Sequence, residues 1–235
     1  MFLTRISRAA RSILTLNRDR EYAALRRMLE LKATDSVLDA GSGDGFWTLR
    51  IAKYCGHVTG LEPDKRTIQV ARALHGRSNV TYICGVGESL PFENGAFDKV
   101  LSVSCLEHFA DPSRGIAEMA RVLKPGGRIA LSVDSLLPEN SPQSFREWHK
   151  RRHFVTHYFS QDTLTKMLRS AGLNYESETV VHLFRSRMAA RLRQVFIRRP
   201  HLWLPFFPVF YLLVRISDWI FNDIHGQIIV VTAYR

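Results

Sequence analysis

At 235 residues, with 46% apolar and 23% charged side chains and a formal charge of +11, the chain has enough material for one domain with a full core plus some elaboration, but not for two complete domains. Its three cysteines (Cys55, Cys84, Cys105) lie in apolar or Gly-flanked stretches without CxxC spacing, which argues against a disulfide framework and against a zinc site. The arginines cluster at the two ends, Arg5 to Arg27 and Arg185 to Arg199, so an anionic partner is expected.

In chain order, Phe2, Leu3, Ile6, Ile13 and Leu14 fall at helical spacing with Arg5, Arg8 and Arg11 between them, and the first acid is Asp19. Such a basic amphipathic helix suits a membrane surface, and the same acid-poor, Arg- and Ser-containing composition also resembles an organellar presequence. From Thr34 to Val133 short β-branched runs alternate with helical patterns, the signature of a doubly wound α/β sheet. Strands are predicted at 36–40, 57–61, 79–84, 98–103 and 127–133, with helices near 46–54, 64–75 and 113–123. Pro125-Gly126-Gly127 is predicted to break the last helix and turn into the strand at Arg128. A polar segment from Leu137 to Pro142 then leads to a helix over 160–171 ended by Gly172, a strand over 174–184 and a final strand over 226–234.

Between those last two strands lies an insertion, 185–224. It holds six arginines within 185–199 and no acid between Glu178 and Asp218, followed by a 13-residue apolar run, Leu202–Val214. A spanning helix needs about 20 residues, and Pro205, Pro208, Arg215 and Asp218 oppose a span further. The expected reading is an element over 186–221 lying in the headgroup region of an anionic leaflet; a pocket cap or a dimer interface would bury the same patch. The division is therefore an N-terminal region 1–33, a core of 34–184 with 225–235, and the insertion.

The stretch Val37-Leu-Asp-Ala-Gly-Ser-Gly-Asp-Gly-Phe46 carries the chemistry. Gly41, Gly43 and Gly45 follow GxGxG spacing, one residue tighter than the turn that binds a dinucleotide pyrophosphate. Asp39 and Asp44 place carboxylates where a pyrophosphate would approach, so a cationic ligand suits this loop better. His108, just past the fourth strand, stands where ligands bind in open α/β sheets and is a candidate general base; its alternative is to start or cap the next helix with Glu107. His149, His153 and His157 recur every four residues, but Lys150, Arg151 and Arg152 would repel a dication, so no metal is expected.

An ordered series of motifs resembles the class I S-adenosylmethionine-dependent methyltransferases, in the type-11 branch that includes the ubiquinone and menaquinone methyltransferases. Its parts are Val37–Gly45, Glu62, Gly87-Glu-Ser-Leu-Pro-Phe92 with Phe97-Asp98, Ser102–His108, and Glu118–Gly127, covering roughly 34–184. The resemblance implies a Rossmann-like seven-stranded sheet of order 3-2-1-4-5-7-6 with the last strand antiparallel, an N-terminal helix and a helical insertion between the last two strands. It also implies S-adenosyl-L-methionine as cofactor. Asp39, Gly41, Ser42, Gly43 and Gly45 would hold its methionine end and Glu62 both ribose hydroxyls, which a carboxylate can do in bidentate fashion. Pro63, Gly87, Glu88 and Ser104 complete the expected cofactor set. One departure stands out: where the family pattern has an Asp for the adenine amino group this chain has Val86, so Glu88 or a backbone carbonyl would replace it. The aromatic, basic stretch after the fifth strand is where the family often builds its acceptor pocket, which assigns Trp148, His153, His157 and Tyr158 to the substrate.

The expected function is methyl transfer to a small lipophilic or lipid-linked acceptor at a membrane surface, with oxygen the favoured atom. The expected location is cytoplasmic and peripherally membrane-associated. Two alternatives stay open. One is a nucleic-acid methyltransferase, supported only by net charge and lacking an Asn-Pro-Pro-Tyr-type motif; the other is a non-catalytic membrane-bound partner protein, hinted at by Val86.

Overall fold

The structure, a computed structural model, describes Leu16, residues 18–175 and residues 180–235. The basic run predicted at the N-terminus lies, Leu16 apart, outside the described residues. Helix α1 spans Arg18–Leu29, and the sheet then opens with β1 (Ser36–Ala40), α2 (Phe46–Ile51), β2 (His57–Glu62), α3 (Lys65–His75) and β3 (Val80–Cys84). Next come β4 (Phe97–Val103), a 3₁₀ turn (Leu106–His108), α4 (Pro112–Val122), β5 (Leu123–Asp134), α5 (Gln143–His153) and α6 (Gln161–Ser170). The chain continues through β6 (Asn174–Tyr175), β7 (Val181–Leu183), α7 (Arg187–Arg198), α8 (Pro200–Trp203), a 3₁₀ turn (Leu204–Phe206), α9 (Phe207–Ile220) and β8 (Ile228–Tyr234).

The sheet order is β3-β2-β1-β4-β5-β8-β6, with β7 also paired to β8. The pairs among β1 to β5 are parallel, whereas β8 runs antiparallel to β5, β6 and β7. Because β6 and β7 both lie within the one predicted run 174–184, the order is the expected 3-2-1-4-5-7-6. Successive residues of a strand face opposite sides of a sheet, and both sides are covered here. Leu38, Val100 and Ile129 pack toward α4 and α6, while Val37, Leu101 and Ala130 pack toward α1, α2 and α7.

Three differences from the expected elements have local causes. Strand β5 begins at Leu123 rather than past the glycines, because Leu123 pairs with Phe97 and the register then shifts before Arg128 pairs with Lys99. Pro125-Gly126-Gly127 thus sits in an irregularity of the ladder, and its backbone bonds to Arg235. The predicted acceptor-side stretch contains a helix, α5, which ends at Phe154 in the left-handed region (φ 56°). His157 therefore does not share its face with His149 and His153.

The third difference is the insertion. Its apolar run is extended by neighbouring turns into a helical stretch, Pro200–Ile220, of 21 residues and mean hydropathy 1.2, long and apolar enough by those two measures to cross a membrane. Its last turn is nevertheless tied to the core. Asp218 is buried and accepts the Arg20 guanidinium at 2.7 Å, the Phe184 N–H at 2.8 Å and the Ser186 N–H at 3.1 Å, and the Ser217 and Ser186 hydroxyls are hydrogen-bonded to each other. Removing one partner of such a buried charge leaves the other uncompensated. Asp218→Ala is therefore expected to lower unfolding free energy by about 3 kcal/mol, read as a reduced denaturant midpoint; an unchanged midpoint would contradict this anchoring.

Candidate active site

Ligands in open α/β sheets bind outside the carboxyl ends of the strands, and the predicted site residues gather there. At the end of β1 the chain bends sharply: Leu61 O accepts the N–H groups of both Gly41 and Ser42 (2.8 and 2.9 Å). Gly41 has φ 85°, and a Cβ there would come within 2.0 Å of Cys105 Sγ, so this glycine answers to a protein neighbour. Gly43 differs: with φ 53° it has no atom within 4 Å of where its Cβ would be, so its backbone faces open space. Gly45 precedes α2 directly.

Glu62 ends β2 and is turned back toward this bend. Its Oε2 accepts the Gly43 N–H and its Oε1 the Asp64 N–H, both at 3.2 Å. Each oxygen keeps lone-pair capacity for a further donor, as a ribose diol requires. The Ser42 hydroxyl is buried without a hydrogen-bond partner. These observations suit a cationic ligand carrying hydroxyls. Asp39 lies deeper, fully buried, accepting the Thr48 hydroxyl at 2.6 Å. Burial pushes its carboxyl up to about 6, with Glu62 adding to the rise and the Thr48 bond opposing it. Its visible role is to brace the loop against α2.

At the positions expected to face adenine, Val86 is half-exposed and Gly87 packs against the Phe109 ring. Glu88 Oε1 accepts the Ala110 N–H at 2.8 Å, which ties its loop to the segment after His108. Pro63 is exposed, its carbonyl facing the Cys84 thiol at 3.4 Å. Ser104, in the left-handed region at φ 46°, directs its hydroxyl to Glu21 Oε1 at 3.2 Å, an oxygen that Ser132 Oγ also reaches at 2.6 Å.

Past β4, Glu107 is buried with one carboxylate oxygen unpartnered, and burial with the nearby Asp134 holds its carboxyl well above the usual carboxylate range. The neighbouring His108 is exposed, its Nδ1 3.2 Å from Phe154 O. A carbonyl can only accept, so Nδ1 carries the hydrogen and Nε2 presents its lone pair. The same 154–157 segment donates the Thr156 and His157 N–H groups to Glu107 O (2.9 and 3.2 Å). The predicted acceptor-side stretch and the predicted base are thus brought into contact.

The other residues expected on the acceptor side divide. Tyr158 Oη pairs with His149 Nδ1 at 3.0 Å, His153 is half-buried with Nε2 unpartnered, and His149 and His153 rings lie 4.6 Å apart. Trp148 stacks on Phe145 instead, with the Arg198 guanidinium above both rings. Burial depresses His149 to about 4 although Asp134 opposes the shift. The firm partner of Asp134 is Arg193, at 2.9 Å and buried. No group of three metal-ligating side chains occurs among the described residues. Sequence reasoning missed Glu21, Asp134, His149 as a pairing group and Arg193. Glu21 meets Ser104 and Ser132, and Asp134 meets His149 and Arg193, only through tertiary packing, and the one visible signal was an arginine on the apolar face of an amphipathic helix.

Residues 38–131 match a family described as a methyltransferase domain. The uncharacterized methyltransferase YcgJ of Bacillus subtilis is 36% identical over 114 residues, 47% of this chain and 45% of that protein. The demethylmenaquinone methyltransferase of Tropheryma whipplei is 38% identical over 106 residues, 45% of this chain and 44% of that protein. The chain thus spans somewhat under half the length of these curated relatives. The crystal structure of YcgJ superposes with a TM-score of 0.68 at 21% identity, covering 92% of this chain and 98% of that one. That of geranyl diphosphate C-methyltransferase from Streptomyces coelicolor, in complex with S-adenosyl-L-homocysteine, gives 0.69 at 17% identity, covering 93% and 77%.

Two predictions follow from the loop. Gly43→Val places a β-branched side chain at positive φ in the open space and is expected to weaken S-adenosylmethionine binding by more than tenfold in calorimetry; unchanged affinity would remove the loop from the binding site. Asp39 is raised in the folded state, so its contribution to stability is fully present below its unfolded value near 3.8 and is lost as pH rises through about 6. Denaturant unfolding should therefore show Asp39→Asn flattening the pH dependence across that window, and an unaltered pH profile would contradict it.

Over residues 38–131, under half of its length, the chain is therefore similar to the methyltransferase domain family.

Proposed function

We propose that this protein is an S-adenosylmethionine-dependent methyltransferase for a lipophilic or lipid-linked small molecule, acting at oxygen on the surface of an anionic membrane. The observation that carries the enzymatic reading is the Glu62 carboxylate held across the open Gly43 backbone. The bound cofactor supplies a methyl group on a sulfonium, open to in-line displacement. Glu62, Gly43 and Ser42 hold the ligand and fix its direction, which supplies much of the rate in a reaction that depends on alignment. The half-exposed Val86 leaves the adenine side to Glu88 or to backbone carbonyls. His108, its Nδ1–H directed at Phe154 O, presents Nε2 to take a proton from an acceptor hydroxyl. The 154–157 segment, bonded to Glu107 O, orients that imidazole through Phe154 O, and His153, His157 and Tyr158 would stand on the acceptor side.

The membrane reading rests on the insertion. Leu202, Phe206, Val209, Leu212 and Ile220 are about half exposed and Trp219 is 81% exposed, on helices flanked by the exposed Arg191, Arg198 and Arg199. Apolar side chains beside arginines suit the headgroup region of an anionic leaflet. Demethylmenaquinone and geranyl diphosphate, named for two of the similar proteins, each join an apolar part to a polar one, and this surface supports an acceptor of that kind.

The direct test is incubation of membrane lipid extracts with the protein and isotopically labelled cofactor, with mass spectrometry for a product gaining one labelled methyl; no labelled product from any extract would sink the reading. His108→Ala is expected to lower turnover by ~10²-fold with cofactor affinity retained, and a normal rate would return His108 to packing. Replacing Leu212, Ile216 and Trp219 by Ser should reduce binding to anionic vesicles by roughly tenfold or more in a flotation assay, whereas undiminished flotation would detach the insertion from the membrane.

A further inference from the structure

A concavity lies beside the segment that follows β5. It has a volume of about 430 Å³ and sits between the end of β5, the start of α6 and the β7–β8 edge, within the ~300–1,000 Å³ typical of small-ligand pockets. Two residues lining it carry buried polar atoms with no hydrogen-bond partner, Ser135 Oγ and His182 Nδ1. Buried polar groups are ordinarily satisfied, so a pocket lined by two such groups is poorly matched to an apolar ligand.

The hydrogen-bond chain fixes what His182 wants. Gln161 donates its amide N–H to Tyr175 Oη at 3.0 Å, which turns its carbonyl to His182 Nε2 at 2.9 Å. A carbonyl accepts, so Nε2 carries the hydrogen and Nδ1 is left with a lone pair. Burial, together with His225 and Arg185, lowers the affinity of His182 for a proton, which keeps it in this neutral form. The pocket therefore offers a buried acceptor at His182 and a hydroxyl at Ser135 that can both donate and accept.

An inorganic anion would meet that lone pair and the Glu139 carboxylate, while the exposed Asp162 carboxylate at the rim is paired with Lys166 at 2.8 Å. A neutral ligand rich in hydroxyl groups can donate to His182 and to the Glu139 carboxylate and accept from Ser135 and Arg169. Tyr175, Leu137 and Ile229 add apolar surface to the same wall, which suits the C–H face of a pyranose ring. We propose that this pocket binds a sugar ring, the polar part of the acceptor. The assignment of the sugar to the acceptor rests on the methyltransferase reading above. Ser135 follows Asp134 in the chain, whose carboxylate belongs to the buried group of Arg193 and His149, so the pocket adjoins the acceptor side of the site.

The test is saturation-transfer NMR on the full chain with a panel of methyl glycosides (glucoside, galactoside, mannoside and rhamnoside), with methylammonium and inorganic phosphate as competitors. The expected result is saturation of ring protons for at least one glycoside in the wild type, weakened roughly tenfold or more in Gln161→Leu and in Ser135→Ala. S-adenosylmethionine affinity by calorimetry should be unchanged in both. No glycoside signal in the wild type, equal signals in a folded variant, or preferential displacement by phosphate or methylammonium would each overturn the proposal. Failure of the wild type to bind S-adenosylmethionine would instead overturn the methyltransferase reading and leave the glycoside result to be judged by itself.

Discussion

The site depends on how strand β2 holds the loop that follows β1. Parallel pairing puts Ala40 beside Leu61, so the chain leaving β1 bends over the end of its neighbour and gives two consecutive N–H groups to Leu61 O. Glu62, the next residue, then catches the Gly43 N–H. Hydrogen bonds to a charged group contribute about 1.5–3 kcal/mol each, enough to set the loop in place without a ligand. A carboxylate already ordered need not lose that freedom on binding, which favours affinity. From below, Asp39 and Thr48 lock α2 to the same loop.

A second constraint joins the insertion to the acceptor side. Helix α7 buries Arg193 against Asp134 and Gln227 and passes its guanidinium over the Phe184 ring. Asp218 binds α9 to the backbone at Phe184 and Ser186 and to Arg20 of α1. Two polar groups that meet at Phe184 thus connect the N-terminal helix, the end of β5 and an apolar outer surface. In the proposed function, the membrane-facing element and the acceptor site are mechanically continuous through Phe184.

Much of this was legible because strands and loops follow local rules. Val37–Ala40 declares a buried strand by its apolar run, and the GxGxG spacing declares the loop. The sheet order came from family resemblance, since local patterns do not say which strands pair. What stayed hidden were contacts set by chain segments far apart: Glu21 with Ser132, and Arg193 with Asp134, are separated by 111 and 59 positions. Gly41 was legible as a glycine but not for its reason, the Cys105 side chain beside it. Helix α5 escaped because its mixture of basic and aromatic residues has weak periodicity, and its left-handed end at Phe154 separates His157 from the other two histidines.

The central claim is that an acidic, ordered loop selects a sulfonium-bearing nucleoside over a dinucleotide. Parallel calorimetric titrations with S-adenosylmethionine and with NAD, on the wild type and on Glu62→Gln, test it most directly. The account predicts saturable binding of the former, weakened by the substitution, and no heat of binding for NAD. Binding of NAD, or S-adenosylmethionine affinity indifferent to the loss of the Glu62 charge, would contradict it.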